Sequence, residues 1–191
     1  MQEILNTIHT AHRDAVDGLF RDGHQPLTEL AHACATALGS GHKLLFCGNG
    51  GSACDAMHIA GEFVGRFVHD RIALPALALT ADSGNLTAIG NDYGFEQVFA
   101  RQVVAFGQPG DVLIALSTSG RSPNVVNALA TAREKGLATA LFTGEKALGM
   151  APIADITVLV PSRITAHVQE AHMVGLHALA VLIEAKLFPE L

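Results

Sequence analysis

The stretch from Leu44 to Glu62, read LLFCGNGGSACDAMHIAGE, constrains the fold of this chain more than any other. Its first four residues form a continuous apolar run, which is typical of a strand buried on both faces. The run ends in Gly48-Asn49-Gly50-Gly51-Ser52, where glycines permit positive φ and let a ligand approach the backbone. A helix-compatible segment begins at Ser52. A strand, a glycine turn and a helix N-terminus together predict an anion-binding site, because free N–H groups and the helix dipole point at the turn.

Two titratable side chains follow on the predicted helix. His58 and Glu62 are four residues apart and therefore share one face. Both side chains could therefore face the pocket that contains the predicted anion site. A solvated helix pair is the alternative, since a chain with ten histidines produces such spacings by chance.

Composition limits the class of protein. A length of 191 residues favours one domain, here 1–191, over two. Apolar residues make up 49% of the chain and charged residues 16%, and the mean hydropathy is +0.33. A chain with this much apolar content is expected to bury apolar surface between subunits, and we therefore predict a homo-oligomer.

Charge, cysteine spacing and the length of the apolar segments argue against nucleic-acid binding, disulfides and a membrane span. The net charge is −6 and no Lys/Arg cluster is present, so we expect no nucleic-acid binding. Cys34, Cys47 and Cys54 form no CxxC pair, which fits reduced thiols. We expect no signal peptide. The most hydrophobic segment, residues 173–183, is about half as long as a membrane-spanning helix. A soluble, cytoplasmic protein is predicted.

The rest of the chain alternates strands and helices. Five strands are predicted at residues 44–47, 74–79, 111–116, 138–142 and 156–160. Two helices precede them, one ending near Asp22-Gly23 and one running from Pro26 to Gly39. Further helices are predicted from residue 52 onward and over residues 86–89, 95–103, 124–135, 146–150 and 165–187. This order predicts an α/β fold, with a five-stranded parallel sheet flanked by helices and an N-terminal helical extension.

A second loop resembles the first in its position. The segment from Val112 to Arg133 repeats the order strand, small-residue loop, helix, and its loop carries four hydroxyls: Ser117, Thr118, Ser119 and Ser122. Hydroxyl and N–H groups at a helix N-terminus suit a phosphate monoester. Turn serines and an N-cap are the ordinary alternative. In one parallel sheet both loops would lie at carboxyl ends of strands, where such folds bind ligands.

Other interpretations of the polar residues stay open at this point. Gly48 to Ala53 matches the dinucleotide fingerprint G-x-G-x-x-A, but the acidic residue expected about 20 positions later is missing and Asp82 lies much farther on. A phosphate or sugar site is preferred to a dinucleotide site or a plain tight turn. The Asn91-Asp92 pair is either a polar site or an Asx turn. In the last helix, spacing does not choose between His172 and His177.

Four motifs, CGNGGSACDAMH, GNDYGF, STSGRSPNV and QEAHMVGLH, resemble the phosphoheptose isomerases of the sugar isomerase (SIS) domain superfamily. The resemblance covers nearly the whole chain. It implies a SIS-type, flavodoxin-like three-layer sandwich and conversion of sedoheptulose 7-phosphate into heptose 7-phosphate, the first step toward the heptose of surface polysaccharide such as lipopolysaccharide. It also implies a homotetramer with active sites at subunit interfaces, residues 1–40 used in oligomerisation, and one Zn²⁺ per subunit.

The resemblance also assigns site residues. The family's metal ligands correspond to His58, Glu62, Gln169 and His177, so the resemblance selects His177 over His172. Glu62 corresponds to the catalytic base and His177 to the acid/base. The implied substrate contacts are Asn49, Gly50, Gly51, Ser52, Glu62, Asn91, Asp92, Ser117, Thr118, Ser119, Ser122 and Gln169.

Departures and alternatives accompany the resemblance. Arg121 stands where the family usually has Asn, and Ala166 stands where some members have Asp. Both differences could alter substrate binding. A SIS-domain relative that binds the replication initiator protein is similar even at Leu187-Phe188-Pro189, but lacks the counterparts of Glu62 and His177. The alternatives are therefore a non-catalytic binding protein of that kind or an isomerase for another sugar phosphate.

Overall fold

Five strands form one parallel sheet in the computed structural model of the chain, which describes residues 1–149 and 152–190. The sheet order is β2-β1-β3-β4-β5, and every neighbouring pair is parallel. This order is the doubly wound, flavodoxin-like one, so the predicted α/β class is confirmed. The strands are β1 (Leu44–Gly48), β2 (Ala76–Ala78), β3 (Val112–Leu116), β4 (Ala138–Gly144) and β5 (Ile156–Val160).

Helices cover both faces of the sheet. They are α1 (Gln2–Gly39), α2 (Gly51–Val64), α3 (Ser83–Tyr93), α4 (Ala100–Phe106), α5 (Pro123–Glu134) and α6 (Thr165–Leu187), with short 3₁₀ helices at Phe95–Gln97 and Glu145–Ala147. Along β1, Leu44 and Phe46 pack in the core beneath α1, α2 and α6, whereas Leu45 and Cys47 pack in the core beneath α3, α4 and α5. Strands β1 and β3 are buried along their whole length, which explains their continuous apolar runs.

The N-terminal region corrects the sequence prediction of two helices. A single helix, α1, runs from Gln2 to Gly39 and includes Pro26. Proline removes one helical hydrogen bond, to the carbonyl of Asp22, at an exposed position of the helix. The buried stripe keeps its spacing of three and four through the break, from Leu19 over Gly23 to Leu27. Burial of that stripe outweighs the local helix-breaking preference.

Smaller differences concern the ends of elements. The strand predicted for residues 74–79 is only Ala76–Ala78, and α3 is longer than residues 86–89 because Asp82 caps it, its Oδ1 accepting from Asn85 N–H at 3.1 Å. The helix predicted over residues 95–103 is divided between a 3₁₀ helix and α4. The short helix predicted near Lys146 is the 3₁₀ helix, and Met150 lies outside the described residues. The last helix, α6, has the predicted bounds.

Strands β1 and β3 are neighbours at the point where the chain changes faces. Gly48, the last residue of β1, is in register with Leu116, the last residue of β3. The glycine loop and the serine loop therefore leave the sheet side by side, at the crevice where doubly wound sheets bind ligands. Within the described residues, no helix combines the length and the apolarity that a membrane crossing requires.

Candidate active site

The glycine loop connects β1 to α2. Of its three glycines only Gly50 has positive φ, at 58°, and it is the residue that precedes α2. Gly48 and Gly51 are required for a different reason, which is close approach. A Cβ on Gly48 would lie 2.8 Å from Cβ of Ser52, and a Cβ on Gly51 would lie 2.2 Å from the amide nitrogen of Gln169. The prediction of positive φ thus holds for one glycine, while the other two make room for neighbouring side chains.

The serine loop connects β3 to α5. Ser117 is almost fully buried, and its Oγ lies 3.3 Å from Oγ of Ser122, the residue that caps α5. The backbone turns at Gly120, whose φ is 67°, and Ser119 Oγ accepts a hydrogen bond from Arg121 N–H at 3.2 Å. The loop therefore presents clustered hydroxyls at the positive end of a twelve-residue helix.

A pair of asparagines joins the two loops. The amides of Asn49 and Asn124 exchange two hydrogen bonds, each 2.8 Å from Nδ2 to Oδ1. This reciprocal pair fixes the distance between the loops. A cavity of about 290 Å³ opens beside it, close to the lower end of the volumes usual for ligand sites. Its lining residues are Asn49, Phe95, Glu96, Ser122, Pro123 and Asn124.

Three side chains meet where α2, the helix that follows the glycine loop, packs on α6. His58 and Glu62 on α2 and His177 on α6 each offer one donor atom, and these atoms all lie within 4.8 Å of one another. His58 Nε2 lies 3.0 Å from His177 Nε2 and 3.4 Å from Glu62 Oε1. The structure therefore brings together the two residues paired by spacing on α2 and one of the two candidate histidines of α6.

The donor set fits a divalent transition metal. Two imidazole nitrogens and a carboxylate oxygen are ordinary zinc ligands, and tetrahedral zinc with nitrogens at about 2.0–2.1 Å leaves neighbouring donors ~3.3 Å apart. The separations of 3.0 and 3.4 Å around His58 Nε2 are close to that value. Within the described residues this is the group of at least three His, Cys, Asp or Glu side chains that could hold an ion.

His177 has a semi-buried, apolar and aromatic environment. The ring of Phe67 stacks on it with centroids 5.2 Å apart and planes 19° apart. Burial lowers the pKa of His177, the charge of His58 lowers it further, and Glu62 opposes both. The imidazole is thus favoured in its neutral form, which can coordinate a metal or accept a proton.

His172 has a different environment although it lies on the same helix. It is fully buried, and its ring meets the ring of Phe142 edge-on at 5.8 Å. Burial lowers its pKa to about 4, and the backbone carbonyl of Thr143, which favours the charged ring, opposes this only in part. His172 therefore lies in the core beneath α6, whereas His177 is the histidine of this helix that lies with His58 and Glu62.

The remaining candidates lie outside the His58–Glu62–His177 cluster. Gln169 places its amide against Gly51, two helical turns before His177. Asn91 and Asp92 lie exposed on the last turn of α3 rather than in a turn, and Asn91 Nδ2 donates to Asp92 Oδ1 at 2.7 Å. Among the departures, Arg121 donates from Nη2 to the Lys146 carbonyl at 3.1 Å. Ala166 is exposed on the first turn of α6.

Sequence reasoning missed two residues that shape the site, Asn124 and Phe67. Asn124 stands directly after Pro123 at the start of α5. The only indication of this pair in the sequence was one asparagine within the glycine loop and another just after the serine loop. No local pattern marks Phe67, because its contact with His177 joins segments far apart in the chain. Such pairs are visible only once α2 and α6 are packed together.

Comparison with known proteins identifies the family of the chain. The family model of the SIS domain matches residues 10–144. The chain is 54% identical over 169 residues to the phosphoheptose isomerase of Nitratidesulfovibrio vulgaris, covering 88% of this chain and 81% of the relative. The structure superposes on phosphoheptose isomerase GmhA from Neisseria gonorrhoeae with a TM-score of 0.88 and 38% identity, covering 96% of this chain and 98% of that one.

A second solved structure gives the same result. The phosphoheptose isomerase from Francisella tularensis aligns with a TM-score of 0.87 and 32% identity, covering 96% of this chain and 98% of that one. Identity, coverage and fold agree in all these comparisons. The chain is a SIS-domain protein that belongs to the phosphoheptose isomerase family.

Proposed function

We propose that the protein isomerises sedoheptulose 7-phosphate to D-glycero-D-manno-heptose 7-phosphate through an enediol. The observation that supports this most strongly is the His58–Glu62–His177 cluster on α2 and α6, in a chain whose relatives are phosphoheptose isomerases. The family membership supplies the substrate class, and the geometry supplies groups of suitable chemistry.

The phosphate end of the substrate binds at the serine loop. Hydroxyls of Ser117, Thr118, Ser119 and Ser122 and the N-terminal N–H groups of α5 are suited to a phosphate and require no lysine or arginine. The sugar then extends along the glycine loop, past Asn49, Gly50, Gly51 and Ser52. Gln169, Asn91 and Asp92 complete the set of proposed substrate contacts.

Glu62 acts as the base on carbon. Its carboxylate removes the proton from C1 of the ketose and returns it to C2 of the enediol on the same face. His177 acts on the oxygens, because its Nε2 can take the proton of the C1 hydroxyl and deliver one to the C2 oxygen. A neutral His177, favoured by its depressed pKa, is in the correct form to begin as the acceptor.

His58, Glu62, Gln169 and His177 would hold one Zn²⁺ per subunit. Bound there, zinc would polarise the substrate carbonyl and orient the sugar. Glu62 and His177 cannot be permanent metal ligands and free proton carriers at the same time, so one of the two roles is transient for each.

The assembly belongs to the same proposal. We infer a single domain over residues 1–191 that forms a homotetramer in the cytoplasm, with residues 1–40 contributing to contacts between subunits. Ile4, Leu5 and Ile8 on the first turns of α1 are all at least half exposed, which supports a covering partner. Neither nucleic acid nor a membrane is a proposed partner.

A turnover assay with sedoheptulose 7-phosphate, with and without chelator, tests the proposal. We expect aldose product, loss of turnover on chelation, and recovery with zinc. Turnover that is insensitive to chelation would support the isomerase activity and contradict the proposed role of the metal. A folded, zinc-loaded oligomer without turnover would overturn the proposed activity and direct attention to a protein partner such as the replication initiator.

A further inference from the structure

We infer that Arg71 and Glu184 form a positioning clamp that holds Glu62 and His177 at their working separation. This inference rests on the proposed function, because it assigns an activity effect to residues that touch neither substrate nor metal. Arg71 Nε donates to Glu184 Oε1 at 2.9 Å, and the two side chains are only 1% and 3% exposed.

Arg71 closes the C-terminal end of α2, which is the helix of the proposed base. Its Nη2 donates to the carbonyl oxygen of Glu62 itself at 2.8 Å, and its Nη1 donates to the carbonyls of Phe63 at 2.8 Å and Gly65 at 3.2 Å. The last carbonyls of a helix lack partners within the helix, and a last turn without partners tends to fray. One guanidinium therefore fixes the backbone from which the Glu62 carboxylate extends.

Glu184 connects that end of α2 to α6. It lies seven residues after His177, close to two full turns, and therefore on the same face of the helix. Its second oxygen, Oε2, accepts from Val68 N–H at 3.3 Å. Val68 follows Phe67, whose ring stacks on His177. The carboxylate thus ties α6 to the segment that orients the His177 ring as well as to the arginine that fixes Glu62.

Stability alone is a weak reason for this ion pair. Burial of two charges costs desolvation free energy, and well-packed apolar residues of similar size often stabilise a fold equally well. What the pair supplies is a fixed geometry, because the planar guanidinium donates in several defined directions at once. A shift of about 1 Å between catalytic groups can cost about 100-fold in rate.

Glu184→Gln tests the clamp, and Asp111→Asn is the matched control. Both changes replace a fully buried carboxylate by its amide, but Asp111 pairs with Lys43 Nζ at 2.6 Å at the amino end of β3, away from the site. The measurements are kcat and KM for sedoheptulose 7-phosphate, the zinc dissociation constant, and the urea midpoint of unfolding, all on the full-length protein.

We expect both variants to lower the unfolding midpoint. Only Glu184→Gln should also lower kcat and weaken zinc binding, each by about 10- to 100-fold, with KM unchanged. Arg71→Lys keeps the charge but loses the planar fork, so it should show the same pattern with a smaller loss of stability. If Glu184→Gln does not fold, the Arg71→Lys variant tests the clamp in its place.

The inference is overturned if Glu184→Gln and Arg71→Lys lose no more turnover and zinc affinity than Asp111→Asn. Its failure is distinct from failure of the proposed function. Wild-type protein that binds zinc without turnover would overturn only the proposed activity, and the clamp would then be judged by zinc affinity. Wild-type protein that neither binds zinc nor turns over substrate would overturn both.

Discussion

The two strand–loop–helix units, β1–α2 and β3–α5, have the same local architecture and different chemistry. In the first unit the loop is rich in glycine, and the helix carries the titratable groups His58 and Glu62. In the second unit the loop carries the hydroxyls, and α5 has no titratable side chain before its last turn. The difference follows from the layers, because α2 packs on the side of the sheet that holds α6, whereas α5 packs on the other side. Only the helix of the first unit can share a site with His177.

Replacement of Glu62 should give the largest effect, because it removes the group assigned to proton transfer on carbon. We expect Glu62→Gln to lower kcat for sedoheptulose 7-phosphate by about 10²- to 10⁴-fold. Glu134→Gln is the matched control, since Glu134 is exposed at the end of the helix of the second unit. If Glu62→Gln kept wild-type turnover, the division of chemistry between the two units would be wrong.

The close approach of Gln169 to the glycine loop predicts the next effect. A Cβ on Gly51 would overlap the Gln169 amide, so Gly51→Ala should displace that side chain and lower zinc affinity and kcat by about 10- to 100-fold. Gly61→Ala is the control on the same helix, because a Cβ there meets nothing within 4 Å. It should be neutral or stabilising by about 0.4–1 kcal/mol. Equal activities of the two variants would refute the steric argument.

The second unit, β3–α5, is expected to contribute to substrate binding rather than to proton transfer. Ser117→Ala removes a buried hydroxyl from the proposed phosphate site, and loss of one hydrogen bond to a charged group costs about 1.5 kcal/mol or more. We therefore expect KM to rise about tenfold with kcat nearly unchanged. Thr131→Ala, on the body of α5, should leave both constants unchanged. A fall in kcat at constant KM would assign the serine loop to catalysis and remove the contrast between the units.

The smallest effect on turnover is expected where α6 packs on the sheet rather than on the site. His172 has a pKa of about 4 when folded and about 6.5 when unfolded, because burial disfavours its charged form. The unfolded chain therefore binds the proton first, and stability falls as the pH drops from about 6.5 to about 4, by up to about 1.4 kcal/mol per pH unit. His172→Leu should flatten this dependence in urea unfolding at pH 5 and 7 and leave kcat unchanged. An unaltered pH dependence would show that His172 does not titrate in this way.

Much of the fold was predictable from local pattern. The strands β1, β3, β4 and β5 and the bounds of α6 were read correctly, because largely apolar strands and long apolar helices leave patterns that need no tertiary information. The break predicted near Asp22-Gly23 was wrong, since a buried stripe that stays in phase through Pro26 outweighs the local signal. The helix end predicted after residue 89 was wrong as well, because α3 continues through Asn91 and Asp92 and ends at Gly94, whose φ is 87°.

The sequence by itself determined the α/β class, the two loops, and the His58–Glu62 pair, because each depends on residues that are close in the chain. The resemblance added His177 and Gln169. Only the tertiary structure decided that α2 rather than α5 faces α6, that His172 is a core residue, and that Phe67, Asn124, Arg71 and Glu184 surround the site. These outcomes depend on contacts between segments up to a hundred or more residues apart, such as His58 with His177. No local pattern encodes such contacts, because they are set by which face of the sheet each helix covers.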